Sequence, residues 1–452
     1  MHNLFGTDGI RGRVGEYPMD GQTLDALGLA IVKYLGLQLK AGIPRVVIAR
    51  DTRISSAPIE AFLSELLVNQ GVEVYLIGVL PTPAVPRLIR FLQADLGLMI
   101  SASHNPYFDN GVKIFDRRGI KLAESEEILL TQFILSKGAR VPLCNSSRMK
   151  GPFSFVEGRR LYMEALQEVL SMGQVPRGLV AVVDSAHGAT WRVVEEVFQS
   201  AGMNLHVIGN APDGFNINDH CGALYPESCA RAVLESGANI GIALDGDGDR
   251  CVLVDELGKV LSGDEVLGIC SLDCHERGQL VPPIVVSTVL ANIGLEMALY
   301  DRGISLLRTA VGDRQVLMRL IERRCVLGGE PSGHFIFLNM GTTGDGIVAA
   351  LQVLGIMART GQPLSELRRS IRLFPQVFVN VPVKQKVPLA NFQEISEVIS
   401  SVESALHNRG RVLVRYSGTE SVARVMLEGE DMHRIQFFCD EIASVLDRQL
   451  NA

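Results

Sequence analysis

Three aspartates at alternate positions, Asp245, Asp247 and Asp249, are separated only by glycines and followed by Arg250. The apolar run Ile240 to Leu244 precedes them and predicts a buried strand. Residues two apart on an extended chain point to the same side, and glycine lets the backbone curl until the carboxylates converge. Converging carboxylates repel one another unless a cation lies between them. A hard divalent ion with oxygen ligands, Mg²⁺ above all, fits that donor set. An EF-hand loop spaces its aspartates in the same way, and Glu256 falls at its twelfth position. Yet Arg250 stands where that loop's sharp turn wants glycine, and a strand comes before it. A phospho-aspartate phosphatase or mutase also places Asp-x-Asp after a strand, but it leaves Ser103 and Arg415 without a role.

Three further segments carry groups that could work with such a centre. Ser101-Ala-Ser103-His104-Asn-Pro106 follows the apolar run Leu96 to Ile100, at the strand end where α/β sheets usually bind ligands. Ser103 beside His104 is a candidate nucleophile. A Gly-x-Ser-x-Gly elbow is missing, which weakens a hydrolase reading, and a polar turn with an Asx-type cap is the plainer alternative. Lys113 lies ten residues further on and can approach the same point. In Gly328-Gly-Glu330-Pro-Ser332-Gly333-His334, Glu330 and Ser332 can bracket vicinal sugar hydroxyls, unless the segment is an ordinary strand connection. Arg415-Tyr-Ser417-Gly418-Thr419-Glu420, with Arg424 nearby, offers amides, hydroxyls and guanidinium groups for a phosphate. The glycine-rich turns Gly6 to Gly12, with Arg11, and Asp51 to Ser55, with Arg53, read as turns that carry arginines.

Elements of an α/β kind must position these groups. Strands are expected at 45–49, 73–77, 96–100, 179–184, 240–244, 283–287, 306–309 and 324–327, with helices between them, among them 57–70 and 157–172. From about Leu373 the order changes to a strand (377–383), a long helix (389–407), two strands (411–416 and 424–428) and a last helix (432–450). A chain of 452 residues allows about three domains, and the pattern fits four better. These are an α/β domain at 1–152, a second at 153–255, a third at 256–371 and a smaller α+β domain at 372–452. Residues 47% hydrophobic and 21% charged supply several cores, and a net charge of −7 argues against a nucleic-acid surface. The sequence holds no membrane-length apolar run and no leader pattern. Its eight cysteines lack CxxC spacing and read as buried free thiols of a reducing cytoplasm.

Taken together and in this order, the segments resemble the α-D-phosphohexomutase family. Its hallmarks are a phosphoserine loop, an Asp-x-Asp-x-Asp metal loop, a Gly-Glu-x-Ser-Gly-His sugar loop and an Arg-x-Ser-Gly-Thr-Glu phosphate loop. The resemblance spans nearly the whole chain. Phe5 to Gly12, Asn216-Ile-Asn218 with Cys221-Gly222, and Gly312-Asp313-Arg314 are most similar to one bacterial branch. That branch interconverts glucosamine 6-phosphate and glucosamine 1-phosphate, feeding UDP-N-acetylglucosamine and cell-envelope synthesis. Branches acting on glucose or mannose phosphate are the alternative. Departures from the family pattern are Ser421, Tyr416, His187 and Leu224-Tyr225.

The resemblance implies three similar α/β domains with mixed sheets and a smaller fourth around a central cleft. It implies one Mg²⁺ held by Asp245, Asp247, Asp249 and an oxygen of phosphorylated Ser103, with a sugar bisphosphate as activator and intermediate. His104, Lys113 and Arg250 match residues near the moving phosphate, with Lys113 and His104 as candidate bases, and Arg11 matches one beside the phosphoserine. Glu330, Ser332, Gly333 and His334 match the sugar loop. Arg415, Ser417, Gly418, Thr419 and Arg424 match the holder of the other phosphate. A cytoplasmic monomer or homodimer acting on a small phosphosugar is expected, with neither nucleic acid nor membrane as partner.

Overall fold

The computed structural model describes residues 4–6, 8–39, 42–136, 153–172, 178–417 and 421–451. Gly418, Thr419 and the whole polar stretch near 146–152 lie outside them. The chain forms two compact units, one of residues 1–290 and 303–370, the other of 291–302 and 371–452.

In the larger unit three sheets repeat one pattern. Strands β1 (Ile10–Arg13), β2 (Arg45–Arg50), β3 (Glu73–Val79), β4 (Leu96–Ile100), β5 (Asp109–Asp116) and β6 (Phe153–Phe155) lie in the order β1-β5-β4-β2-β3-β6. Strands β7 (Val180–Asp184), β8 (Asn204–Ile208), β9 (Ile240–Leu244) and β10 (Cys251–Asp255) lie in the order β10-β9-β7-β8. Strands β11 (Ile284–Thr288), β12 (Ser305–Thr309), β13 (Leu327–Gly329) and β14 (Phe335–Phe337) lie in the order β12-β11-β13-β14. Each sheet has a parallel trio whose third strand turns back through an antiparallel partner: β4 to β5, β9 to β10, β13 to β14. The phosphoserine-like, aspartate and sugar-like segments are those three turns.

Continuous apolar runs make the central strands because helices cover both faces of a parallel sheet. Every residue of β4 and of β9 is buried. A methyl group at Gly97 would meet Val85 and Ile89 at 2.5 and 2.6 Å, so the helix Ala84–Leu92 packs directly on the β4 backbone. Leu96, Leu98 and Ile100 share their core with Ile48, Val74 and Val112. Each such burial stabilises the fold by about 1.5–3 kcal/mol, so the strand end at Ser101 is held firmly.

The smaller unit has an antiparallel sheet β15 (Gln376–Pro382), β16 (Gly410–Tyr416) and β17 (Val422–Gly429), in the order β15-β17-β16, packed on helices Gln393–Leu406 and Met432–Asn451. Val425, Leu427, Ile435, Ile442 and Leu446 form its core. The helix Ile293–Tyr300 belongs here as well: Asn292 donates to Phe374 O at 3.0 Å, and the amide of Ile293 donates to the buried Glu428 at 3.1 Å.

Two expected elements differ. The apolar run at 324–327 is not all strand, because Arg324 takes a left-handed conformation (φ 54°) that ends the helix Asp313–Arg323, and pairing starts only at Leu327. The helix expected over 389–407 is interrupted by extended Phe392, with a 3₁₀ turn before it, and stops at Leu406, beyond which His407 has φ 52°. The seven described cysteines are free thiols, and only Cys274 is partly exposed.

Candidate active site

The aspartate loop is the six-residue turn between β9 and β10, whose register pairs Cys251 with Leu244. It sits tightly against the Ser103 loop. A methyl group on Gly246 would fall 2.6 Å from Ser103 O and 2.7 Å from Asn218 Nδ2, and one on Gly248 would fall 2.4 Å from Thr190 Cγ2. The glycines therefore make room for neighbouring chain as well as for the curl.

Ser103 follows β4 in a left-handed conformation (φ 52°), unusual for a residue with a Cβ. Its amide donates to Ser101 Oγ at 2.9 Å. Its carbonyl accepts from Arg53 Nη2 at 3.1 Å and Asn218 Nδ2 at 2.9 Å. Arg53 is fully buried, paired with Asp51, and also donates to Asn105 O. Charge-assisted bonds from a rigid guanidinium offset the backbone cost at Ser103. The Ser103 hydroxyl, so aimed, donates to Asp245 Oδ2 at 2.7 Å, and His104 Nδ1 lies 3.3 Å from Ser103 Oγ.

The carboxylates converge as expected. One oxygen from each of Asp245, Asp247 and Asp249 lies within 4.8 Å of the others, and all three residues are buried. Lys113 on β5 reaches them, its Nζ 2.7 Å from Asp247 Oδ2 and 2.9 Å from both Asp249 Oδ2 and Asp8 Oδ2. Burial disfavours the charged lysine, yet Asp247, Asp249 and Asp8 raise its pKa well above the ordinary value. Asp245 is pushed upward, first by burial and then by Asp249 and Asp247. Burial also pushes Asp249 up, but Lys113 and His334 outweigh it and hold that carboxyl below its ordinary value. Asp247 Oδ1 and Asp249 Oδ1 are buried with no hydrogen-bond partner. Two orphaned carboxylate oxygens beside a serine hydroxyl form a hard-oxygen donor set that fits a divalent cation such as Mg²⁺.

The sugar-like turn joins this cluster through backbone. The Cys251 amide donates to Gly333 O at 2.9 Å, and Arg250 forms a bridge with His334. Gly333 has φ 88°, and a Cβ there would meet Cys251 O at 2.5 Å. A cavity of about 260 Å³ opens here, lined among others by Arg11, His104, Asp249, Arg250, Glu330 and Ser332. Glu330 accepts the Gly312 amide at 3.1 Å, and burial raises its pKa. His104 is pushed down to about 4 by burial, helped by Arg250 and Arg11. Arg11 pairs with Asp8.

The sequence reading missed several groups. Lys121 pairs with both Asp8 and Asp313, and Asp313 lies 3.5 Å from His334 Nε2, so a chain of charges runs from Lys113 to the sugar-like turn. The Thr82 hydroxyl donates to Asp247. Asn218, which the sequence marks only by its likeness to one branch, donates to Ser103 O at 2.9 Å. No motif announces Lys121 or Thr82.

In the smaller unit Arg415 and Arg424 face each other across β16 and β17. Burial lowers the pKa of Arg415, and the charge of Arg424 beside it adds to the shift. Lys386 donates to Ser417 O at 2.7 Å, a third cation at this turn that the sequence reading did not name. An anion would relieve the repulsion.

Comparison with known proteins matches this arrangement to one family. The models of phosphoglucomutase/phosphomannomutase alpha/beta/alpha domains I, II and III match residues 2–139, 160–258 and 262–374, and that of the C-terminal domain matches 378–445. The chain belongs to the phosphoglucomutase/phosphomannomutase family, and it is an enzyme of the mutase class. It is 44% identical to the phosphoglucosamine mutase of Solidesulfovibrio magneticus over 99% of both chains. It is 44% identical to that of Myxococcus xanthus over 99% of this chain and 97% of the relative. A phosphoglucomutase/phosphomannomutase family protein of Burkholderia thailandensis has the same fold, with a TM-score of 0.81 at 22% identity over 99% of this chain and 98% of that one.

Proposed function

We propose that the chain interconverts glucosamine 6-phosphate and glucosamine 1-phosphate through a phosphoserine at Ser103 and a bisphosphorylated sugar. The observation that carries this reading is the Ser103 hydroxyl held 2.7 Å from Asp245, inside a cluster of buried carboxylates beside Lys113. The identity to phosphoglucosamine mutases along the whole chain supports glucosamine phosphate as the sugar.

In the first half, the bond between Ser103 Oγ and phosphorus breaks while O1 of glucosamine 6-phosphate bonds to that phosphorus, and the proton that O1 gives up passes to the departing Ser103 Oγ. Glucosamine 1,6-bisphosphate results. It turns end for end. Its 6-phosphoryl group then passes to Ser103 Oγ, and O6 takes the proton that the serine releases. Asp245, Asp247, Asp249 and an oxygen of phosphorylated Ser103 would hold one Mg²⁺, which when bound draws electron density from the phosphoryl group. Lys113, Arg250 and Arg11 balance charge on the moving group, and His104 lines its path. Such transfers need positioning and charge neutralisation above all. Glu330 and Ser332 bracket sugar hydroxyls on a turn fixed by Gly333 and His334. Arg415, Ser417 and Arg424 bind the phosphate that stays in place.

The reading further takes the protein as cytoplasmic, a monomer or homodimer, with four domains at 1–152, 153–255, 256–371 and 372–452 and the bisphosphate as activator. A coupled assay comparing glucosamine, glucose and mannose 6-phosphates tests the sugar, and faster turnover of glucose or mannose phosphate would overturn it. Intact-mass analysis should find one phosphate, mapped to Ser103. Full activity in Ser103→Ala would sink the mechanism.

A further inference from the structure

A second cavity, of about 310 Å³ and therefore larger than the catalytic one, lies in the larger unit. One wall is the helix Ala84–Leu92, with Arg87 and Arg90; the other is the segment 338–345 that follows β14. Arg87 pairs with Asp345 at 3.0 Å, so that carboxylate is neutralised, and exposed Arg90 supplies the remaining positive charge. Thr343 is 5% exposed, and its hydroxyl is buried on this lining without a hydrogen-bond partner. Two guanidinium groups and an unpaired hydroxyl are the donors that a phosphoryl group takes.

Both walls run straight into the aspartate loop. One residue before Pro83, where the helix is capped, Thr82 bonds Asp247 twice: its hydroxyl to the carboxylate and its amide to the carbonyl at 2.8 Å. On the other wall a Cβ at Gly344 would fall 2.4 Å from His334 Nε2 and 2.7 Å from Asp249 O. The Gly346 amide then donates to Gly248 O at 3.0 Å. Contacts this close leave no slack, so a ligand that draws the two walls together bears on Asp247, Asp249 and His334 at once.

We propose that this cavity is a regulatory site for a small phosphoryl-bearing metabolite, held by Arg90, Arg87 and Thr343 and coupled to the catalytic loop. The regulatory part rests on the mutase reading above; the binding part does not.

Crystals soaked in tungstate should give an anomalous peak between Arg90 and Thr343, absent from an Arg90→Ala, Thr343→Val double variant. Inorganic phosphate and glycerol 3-phosphate, at saturating sugar phosphate, should change wild-type kcat by about fivefold or more. The double variant should keep its basal rate and lose the response. A stronger effect of glycerol 3-phosphate assigns the site to an organic phosphate, the reverse to the free ion. Amide exchange at 244–250 gives a readout independent of turnover: phosphate should slow it in the wild type and not in the variant. Absence of the peak overturns the proposal. So does a peak without change in rate or exchange, which means an adventitious ion only, or a response that the variant keeps. Failure of the mutase reading would appear separately, as no turnover of any sugar phosphate.

Discussion

Gly246→Ala should cripple turnover while leaving the fold intact, because the glycine sets the distance between the two halves of the catalytic cluster. The added methyl would sit 2.6 Å from Ser103 O and 2.7 Å from Asn218 Nδ2. An unstrained C···O contact needs about 3.3 Å, so the loops must part by about 0.7 Å. The bond from Ser103 Oγ to Asp245, now 2.7 Å, would then stretch to about 3.4 Å, beyond useful hydrogen bonding. Overpacking of this kind costs about 1–3 kcal/mol of stability. A misplacement near 1 Å in a catalytic constellation costs roughly a hundredfold in rate. We expect kcat in the coupled mutase assay to fall by about that factor, with a lower yield of phosphorylated Ser103 by intact mass. Gly21→Ala is the control: it opens the helix Gly21–Gln38, a Cβ there meets nothing within 4 Å, and it should be fully active and slightly more stable. If Gly246→Ala turns over within threefold or so of wild type, the close approach does not position the serine, and the argument fails.

Lys113→Met should lower stability by about 3–5 kcal/mol, since Asp8, Asp247 and Asp249 lose their shared cation. Added Mg²⁺ should raise the melting temperature of that variant more than that of the wild type; an equal rise would tell against a cation site at the aspartates. Arg415→Ala should raise KM about tenfold or more without lowering the melting temperature of the ligand-free protein, because it relieves repulsion with Arg424. A destabilised variant with unchanged KM would contradict this. Burial pushes the Cys221, Cys229 and Cys439 thiols up to about 12, so at pH 8 only about one in ten thousand is thiolate. Peptide mapping after iodoacetamide at that pH should find all three unmodified in the native state and modified after denaturation.

The cluster was legible where the chemistry is local. Glycine-spaced aspartates after an apolar run, and a serine just beyond another, announce themselves because the spacing and the strand end lie in one short segment. Lys113 was within reach because β5 pairs back on β4, setting Lys113 opposite Met99. Groups brought in from far along the chain left no such trace. Lys121 finds Asp313 across 192 residues, and Asn218 finds Ser103 across 115. Lys121, between Ile120 and Leu122, carries no pattern, because a single polar residue between apolar ones reads the same whether it meets solvent or a buried carboxylate; the segment around Asn218 resembles one branch without telling which carbonyl it meets. The overrun at Arg324 has a simpler cause, since apolar residues between a helix cap and a short strand share the hydropathy of the strand itself.

The recurring turn after the third parallel strand has a consequence for how this enzyme can change. Ser103, the three aspartates and the Glu330 to His334 turn occupy one topological position in three copies of one architecture. A centre so built is modular. Each turn rises from its own core, so one copy can be exchanged for that of a relative without rebuilding the other two. The constraint lies at the seams, in backbone as Gly246 against Ser103 and Gly333 against Cys251, and in side chains as Lys113 against Asp247 and Asp249. If the Glu330 to His334 turn reads the sugar, as proposed above, grafting a relative's turn while keeping its glycine is the economical route to a new sugar preference.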